Sequence, residues 1–448
     1  MTNTAVVPPI WIDARKPDSW HLLHTHSDLE LALGPASEFP PERDQLSQVV
    51  ADIVRAEFRL PSNALHEIAS GAPSYFAERK PMRNYGFVWK VFRNRVADDK
   101  WSFPVISVED FAAQIRKEWS VASDGGEAPS PVADWINARL RVHFAWADGL
   151  ADFYADAHRS AFIASYLLAA MAVFVALLPM ALGLGKNYLI EVGSGLFELL
   201  ILGAILRMQY LAHTFHWRER WTDYRLLAEL IRELRFLVPL GGGKPLPRIP
   251  AHPAVYGDPA RTWMYWHVRA IAREIGIPAA RVSSNYMRDC VDFLGRVVGD
   301  EESGQRGFHI VAERRARRLG ERLHYWVRKL LWLTVAGVAL RLLLGAFSLP
   351  TRFSIPEMDS LLLLASAALP ALGAALEGIN NQGEFIRVAK RSAAMASGFA
   401  KYGTRIAALE KGPPLRLSQI IPLSSTIADA MVAEVVDWRT VFIDRPLQ

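Results

Sequence analysis

Four runs of apolar residues, separated by long polar segments, dominate the hydropathy pattern of this chain. The first run, Ala161–Gly185, has 25 residues and no charged side chain. A bilayer core about 30 Å thick is crossed by roughly 20 apolar residues in a helix. The other three runs are Tyr188–Arg207, Leu330–Phe347 and Ser360–Leu376. We therefore predict spanning helices at about 161–183, 188–207, 328–347 and 360–379.

The four runs fall into two pairs, because only short segments separate the first from the second and the third from the fourth. A helix that starts near Asp134 leads into the first pair, and the polar helix Trp217–Leu237 follows it. The basic helix Ala312–Lys329 leads into the second pair, and a polar helix from Glu384 to about Glu410 follows. The pattern therefore predicts a mostly α-helical integral membrane protein with two transmembrane hairpins and long cytosolic amphipathic helices.

The polar remainder predicts a small soluble region ahead of the hairpins. VVPPIWIDA is typical of a short buried strand, and helices are predicted at about Arg43–Glu57, Phe87–Val96 and Val108–Val121. The predicted domains are an N-terminal cytosolic region (1–130), a first hairpin module (131–238), a cytosolic loop with helices (239–311), a second hairpin module (312–410) and a C-terminal cytosolic tail (411–448).

Basic residues flank the hairpins on one side. Seven Lys and Arg residues lie between Arg314 and Lys329, just before the third run, whereas each hairpin tip has one basic residue, Lys186 or Arg352. The positive-inside rule then places both termini in the cytosol of a multi-pass protein of the cytoplasmic membrane. The alternative is that the runs are buried hairpins of a large soluble helical protein.

Composition narrows the function classes. The chain is 51% hydrophobic and 22% charged, which is too polar for a typical polytopic transporter. The net charge of +5 is explained first by membrane topology, so we expect no nucleic-acid partner. Cys290 is the only cysteine, so no disulfide can form within the chain, as suits a reducing compartment.

Charged residues within the apolar runs are the candidate functional residues. Glu191 and Glu198 are seven residues apart in the second span and share a face, while Arg341 interrupts the third. Such residues normally face a bundle interior or a water-filled cavity. Glu198 and Arg341 are expected at similar depth, where they either pair, within one chain or between subunits, or line a pore. Alternatively, Arg341 snorkels outward and Glu198 is protonated. Glu377 lies near the inner end of the fourth span, where it could meet Arg328 or reach the interface, and we favour the interface.

No motif predicts an enzyme, a metal or another cofactor. The chain has no P-loop, no G-x-G-x-x-G and no G-x-S-x-G element, and Cys290 lies in no recognised nucleophile motif. Two groups contain residue types that suit zinc but do not have the spacing of a known zinc motif. They are His21, His24, His26 and Asp28, and His213, His216 and Glu219.

The strings FYADAHRSAFIASYLLAAMAVFVALLP and HWRERWTDYRLLAELIRELRFL, placed around a two-span hairpin, resemble the SLATT superfamily. These are the SMODS- and SLOG-associating two-transmembrane effectors of bacteria. GEFIRVAKRSAAM and MVAEVVDWRTVF also look like long members, so the resemblance covers roughly residues 80–448. VVPPIWIDARKPD looks like the last strand of a SLOG domain. The rest of that domain is not recognisable, so it is either lost, encoded separately or cut off by a misplaced start codon.

The resemblance implies a membrane effector of a nucleotide-dependent defence system, which forms oligomers and permeabilises the bilayer through a pore. A separately encoded nucleotide-sensing protein would be a partner, beside the lipid bilayer and further copies of the chain. Two alternatives stay open: a membrane-anchored scaffold that binds cytosolic partners, and a small channel or transporter.

Overall fold

The structure of the chain is a computed structural model. It describes residues 75–79, 81, 85–98, 131–184, 187–242, 262–275, 282–301, 304–346, 356–412 and 414–443. Helices account for most of these residues, and no strand occurs among them. The mostly α-helical class predicted from the sequence is therefore confirmed.

Ten α-helices make up the described fold. They are α1 (Phe87–Val96), α2 (Pro131–Ala181), α3 (Tyr188–Thr214), α4 (Trp217–Leu237), α5 (Trp263–Ile275), α6 (Ser284–Gly299), α7 (Gln305–Ala346), α8 (Pro356–Gly383), α9 (Phe385–Glu410) and α10 (Leu417–Ile443). The predicted helices Phe87–Val96 and Trp217–Leu237 are confirmed at both ends. The strand VVPPIWIDA and the helices Arg43–Glu57 and Val108–Val121 lie outside the described residues.

The chain folds as two modules of the same design, α2–α3–α4 and α7–α8–α9. In each, a long helix leads into an apolar hairpin, and an amphipathic helix then packs back along the first helix. The break between the second and third helix of each module is made by one residue in left-handed conformation, His216 (φ 48°) or Glu384 (φ 50°), and both helices pack on the same first helix. A buried aromatic residue follows each, Trp217 or Phe385. The repeat predicted from the pattern therefore extends to the local backbone geometry.

We call residues 161–181 of α2, 188–207 of α3, 328–346 of α7 and 360–379 of α8 the apolar arms. They lie side by side in an open row: α3 packs against α2, α2 against α8, and α8 against α7. Within the described residues, no extended contact joins α3 to α7. These two helices therefore form the ends of the row.

Four described helical stretches are long and apolar enough to cross a membrane. They are Arg139–Ala181, Tyr188–Thr214, Ser360–Glu410 and Leu417–Asp437. The first three contain predicted spans, but the fourth lies in the predicted cytosolic tail. Half of its apolar stretch is buried inside the fold, against only 6% for α3. Burial of this kind is typical of a core helix, so we interpret α10 as one.

The predicted third span, 328–347, is not among those four stretches. Two basic residues, Arg328 and Lys329, lie at its start, and Arg341 interrupts it. Its helix is nevertheless continuous to Ala346. Eight large apolar side chains point outward from it: Leu331, Trp332, Leu333, Val335, Val338, Leu340, Leu342 and Leu343. An exposed apolar surface of this size is expected only where lipid or another protein covers it, so we keep residues 328–346 of α7 as the third predicted span.

The helices outside the arms form a polar-surfaced body that we call the base. Its first hydrophobic core joins α2, α4, α5 and the end of α10, with Tyr75 and Phe76 inserted. A second core joins α4, α6, α9 and α10. A third, smaller core lies where the arms meet the base and contains Trp89 of α1, Phe162 of α2 and Phe385 of α9. The base therefore holds both modules in one packed unit.

Candidate functional site

The two glutamates of α3 lie at different positions in the open row. Asn187 caps the helix, because its side chain accepts a hydrogen bond from Leu189 N–H at 3.1 Å. Glu191 follows in the first turn and is exposed. Glu198 is half-buried. It belongs to a stripe of less exposed positions that recur every three or four residues along α3, on the side that packs against α2. The two carboxylates point within about 20° of the same direction, and Glu191 is the more exposed because it lies in the first turn of the helix, at the hairpin tip.

No ion pair within the described residues joins Glu198 to Arg341, or Glu377 to Arg328. Glu377 is half-buried on α8, and Arg341 is half-buried on α7. The expected pairing of Glu198 with Arg341 inside one chain is therefore absent from the monomer. Their pairing between subunits and their placement in a pore remain predictions.

Two glycine contacts set the register of α8 against its neighbours. A Cβ added at Gly378 would overlap the ring of Tyr166 on α2. A Cβ at Gly373 would lie 3.9 Å from Cβ of Leu330 on α7. Gly373 is five residues nearer the hairpin tip than Gly378, and Arg341 is eleven residues beyond Leu330. At 1.5 Å per residue, Arg341 then lies about 24 Å above the Tyr166 contact.

This register places Arg341 near the tip end of the row. Ala181, where α2 ends, is about 22 Å above Tyr166 on the same scale. Glu191 is three residues into α3, about 5 Å below the tip, whereas Glu198 is ten residues in, about 15 Å below it. On this count Arg341 lies near the level at which α2 ends, about 7 Å above Glu191 and about 17 Å above Glu198. The similar depth expected for Glu198 and Arg341 was wrong, because counting from the ends of the apolar runs ignores how the helices are staggered.

In the base, a buried carboxylate ties together three chain segments. Glu78 is 8% exposed and accepts hydrogen bonds from Tyr154 Oη at 2.9 Å, Tyr224 Oη at 2.8 Å and Arg220 Nη1 at 2.6 Å. Burial raises the pKa of Glu78, while the charge of Arg220 and the two tyrosine hydroxyls oppose that rise. The cluster links the segment around Tyr75 to α2 and to α4.

Further ion pairs fasten α4 and α10 into the base. Asp148 of α2 accepts from Arg225 of α4 at 2.7 Å. Arg439 of α10 donates to Asp223 at 2.9 Å. Buried and half-buried ion pairs of this kind add little net stability. They disfavour other ways of packing the helices, because a buried charge without its partner costs several kcal/mol, on the order of 3–5.

A second set of contacts joins α10 to the second module. Arg391 of α9 donates to Asp437 at 2.7 Å, and Nε2 of His309 on α7 lies 3.3 Å from a Glu434 carboxylate oxygen. Burial lowers the pKa of His309 to about 4, and nearby arginines including Arg391 add to that shift. His309 is therefore neutral at pH 7, and α10 links both modules.

The short helix α1 and the residues just before it lie beside both left-handed breaks. Trp89 stacks on Phe385, which follows the break in the second module, with ring centroids 6.2 Å apart and planes at 5°. Tyr85, just before α1, stacks on Trp217, which follows the break in the first module, at 6.0 Å and 23°. Trp89 N–H also donates to Ser160 Oγ at 3.0 Å. The segment from Tyr85 through α1 thus contacts equivalent points of both modules.

Charged contacts hold α1 in this position. The Arg159 guanidinium lies 5.2 Å from the Trp89 ring centre and 5.0 Å from that of Trp221 on α4. At the other end of α1, Arg322 of α7 donates to the Val96 carbonyl at 2.8 Å. The helix α1 therefore packs across the junction between the arms and the base.

The described residues contain no group of three or more His, Cys, Asp or Glu side chains that could hold a metal. The rings of His213 and His216 are 6.2 Å apart, but Glu219 pairs with Arg218 at 2.7 Å. Cys290 is buried, and burial raises the pKa of its thiol to about 11, the opposite of an activated nucleophile. The group His21, His24, His26 and Asp28 lies outside the described residues.

Sequence reasoning missed the Glu78 cluster and the role of α1. Glu78 follows a segment with no periodic pattern, so no sequence feature marked it as buried. A usable signal was available for α1: two aromatic residues lie four positions apart, Tyr85 just before the helix and Trp89 in its first turn. Their partners come from distant helices, which periodicity cannot identify.

Part of the chain matches a known family model. Residues 143–240 match the model of a family described as "Protein of unknown function (DUF4231)". This stretch corresponds to the first module, from the middle of α2 through α3 and α4. No curated protein and no solved structure matches the chain. The comparison therefore marks the first module as a recurring unit whose function is not described.

Proposed function

We propose that this protein is a membrane effector that assembles from several copies and permeabilises the bacterial cytoplasmic membrane. The observation that carries the proposal is the open row of apolar arms. Only 6% of the apolar stretch of its end helix α3 is buried, although that helix carries two carboxylates. A charge near the centre of a spanning helix costs about 2.5–3.5 kcal/mol on the insertion scale, so such residues face a cavity or a partner.

The setting that we propose is a nucleotide-dependent defence system, as the SLATT resemblance implies. In this reading both termini and the base lie in the cytosol, because the basic residues flank the arms on that side. The base would receive the signal from a nucleotide-sensing protein, and the arms would act on the bilayer. The proposed action on the bilayer requires no catalysis by this chain.

The direct test is dye release from liposomes. The full chain is reconstituted at increasing protein-to-lipid ratios into vesicles that contain a self-quenching dye. Release should rise more steeply than linearly with protein, because assembly precedes permeabilisation. Strong expression in bacteria should also collapse the membrane potential. Vesicles that stay tight at every ratio, with cells that keep their potential, would refute the proposal.

A membrane-anchored scaffold is the second candidate, and the size of the base favours it. Three hydrophobic cores and the ion pairs of α10 give the base a rigid surface that a partner could bind. The two candidates separate when the arms are replaced by unrelated spanning helices. A scaffold keeps its cellular function after the exchange, whereas an effector loses it.

A further inference from the structure

We propose that Arg93 of α1 and Arg315 of α7 together bind a phosphate group, supplied by an anionic phospholipid or by a soluble phosphate. Both side chains are half-buried, and the Nε atom of each is buried without a hydrogen-bond partner. Among the described residues, the only hydrogen bond or ion pair of either guanidinium is a long contact from Arg93 Nη2 to Asn94 Oδ1 at 3.4 Å. Buried donors without an acceptor are rare in folded proteins, and a bound ion is one of the groups that can supply the acceptor.

The packing of α1 on α7 brings the two arginines together. Phe92 and Val96 of α1 pack against the third hydrophobic core, which contains Leu319 of α7. Arg315 lies one turn before Leu319 on the same face of α7, and Arg93 is next to Phe92. The pKa of Arg93 is lowered, first by burial and second by the positive charge of Arg315. The two guanidinium groups are therefore close enough to repel each other.

Nearby carboxylates do not neutralise this pair. Three of them attract Arg93 but form no ion pair with it: Asp98, Asp152 and Asp156. Asp156 instead lies 3.6 Å from the Lys90 ammonium and 3.8 Å from the Arg159 guanidinium. Among the described residues, no carboxylate is within ion-pair distance of Arg315. The other basic side chains around α1 thus have acceptors, whereas Arg93 and Arg315 keep a shared excess of positive charge.

A phosphate group suits two adjacent guanidiniums better than a carboxylate does. Each guanidinium presents five N–H donors in a planar fork. A carboxylate has one charge and two oxygens, so one arginine fork occupies it in the bidentate geometry. A phosphate has at least three acceptor oxygens available and can accept from both forks at once. It would give both Nε–H groups an acceptor and offset the repulsion between the two arginines.

The pair lies just outside the apolar arms. Leu330 is level with Gly373, about 7.5 Å above Tyr166, so Arg315, fifteen residues before Leu330, is about 15 Å below Tyr166. Ala161, where the first arm begins, is about 7.5 Å below Tyr166 on the same scale. The pair is therefore about 7.5 Å below the start of that arm. The headgroup layer on each side of a bilayer is about 5–8 Å thick, so phospholipid phosphates lie at this depth.

Basic side chains continue from the pair to the arm of α7. Arg318, Arg322, Arg328 and Lys329 follow Arg315 on this helix, and all four are at least partly exposed. They fill the interval of about 20 Å between Arg315 and the start of the third arm at residue 328. Clusters of basic residues on the cytoplasmic side of a spanning helix attract anionic lipids. The same charges attract a soluble phosphate, so the two sources have to be separated by experiment.

Thermal unfolding of the full chain in a maltoside detergent tests the site, because this detergent contains no phosphate. Phosphatidylglycerol, inorganic phosphate and oleate are added in separate titrations, with oleate as an anionic amphiphile that carries a carboxylate instead. A ligand at about 100 times its Kd should raise the Tm by about 5–10 °C. We expect this rise with phosphatidylglycerol. A rise with the lipid alone identifies the lipid as the source, and a rise with inorganic phosphate shows that a soluble phosphate is sufficient.

Variants show whether the two arginines hold the phosphate. Arg93→Gln and Arg315→Gln should each weaken the apparent affinity by about tenfold or more, because each removes charge-assisted hydrogen bonds. Without phosphate, each variant should unfold at the wild-type Tm or above it, because the repulsion between the guanidiniums is relieved. Arg314→Gln is the matched control, since Arg314 is the exposed neighbour on another face of α7, and it should keep the full rise in Tm.

Three results would overturn the inference. No rise in Tm with either phosphate compound would leave the two arginines to a carboxylate of a partner protein. An equal rise with oleate, or an equal loss of affinity in Arg314→Gln, would mean that the basic surface attracts negative charge without a defined site. A lower Tm for Arg315→Gln than for the wild type in the absence of phosphate would mean that Arg315 has its partner within the fold.

Discussion

Replacement of Trp89 by alanine is the sharpest test of how α1 closes the boundary between arms and base. The Trp89 side chain is 6% exposed and packs between Phe385 and the Arg159 guanidinium. Truncation of a buried Trp or Phe to Ala costs about 3–5 kcal/mol. With its stacked ring and its cation–π contact, this site should lie no lower than the middle of that range, and we take about 4 kcal/mol.

The expected effect on thermal stability follows from this magnitude. For a unit of about 150–250 residues, 1 kcal/mol shifts Tm by about 2–4 °C, so Trp89→Ala should lower Tm by about 8–16 °C. The measurement is thermal unfolding of the purified protein in lipid nanodiscs, followed by circular dichroism and by protease cleavage. Trp89→Phe should recover about half of the loss, because it keeps a ring against Phe385.

Phe87→Ala is the matched control, since Phe87 lies on the same helix but is 37% exposed. Its Tm should stay within about 3 °C of the wild type, as for most surface substitutions. A Tm for Trp89→Ala within that same interval, or an equal loss for Phe87→Ala, would refute the reasoning. In that event α1 would be a passive surface helix.

Three further predictions concern the base and the seam between the modules. Glu78→Gln should destabilise the folded protein by about 3–5 kcal/mol, because Arg220 loses its buried partner. The double variant Glu78→Gln with Arg220→Met should recover part of that loss in the same Tm assay. The pKa of His309 is about 4 in the folded protein and 6.5 in the unfolded chain, so the unfolded state binds the proton first as the pH falls. Acidification from pH 7 to 5 should therefore destabilise the protein by roughly 2 kcal/mol through this residue. His309→Gln should flatten that part of the Tm-versus-pH curve, and an unchanged slope would contradict the role given to His309. Gly378→Val should sharply reduce the yield of folded protein, because the valine side chain would overlap the Tyr166 ring. Tyr166→Ala in the same chain should restore the yield. If it does not, α2 and α8 are not in contact at this point.

Helices and hairpins were predictable from the sequence because each is encoded locally. Trp217–Leu237 shows its apolar stripe directly, and the charge-free run Ala161–Gly185 needs no tertiary information. The order of the arms was not predictable, because any of the four apolar surfaces could pack against any other. The depth of Arg341 was wrong for the same reason: it depends on contacts such as Gly378 with Tyr166, between residues more than 200 positions apart.

The status of α10 shows the limit of hydropathy as evidence. Leu417–Asp437 is apolar enough to span a bilayer, yet half of it is covered by protein. Hydropathy measures the cost of contact with water and does not say whether lipid or protein replaces the water. The contacts of α10 with the rest of the base, such as Arg439 against Asp223, could be assigned only from the fold.

The duplication of the module has a numerical consequence for any assembly of this protein. A single-hairpin protein could assemble from an odd or an even number of hairpins. Here two hairpins are joined in one polypeptide, so every assembly of this chain contains an even number. The contact between the two hairpins of one chain forms during folding, which halves the number of chains that must meet to bring a given number of hairpins together.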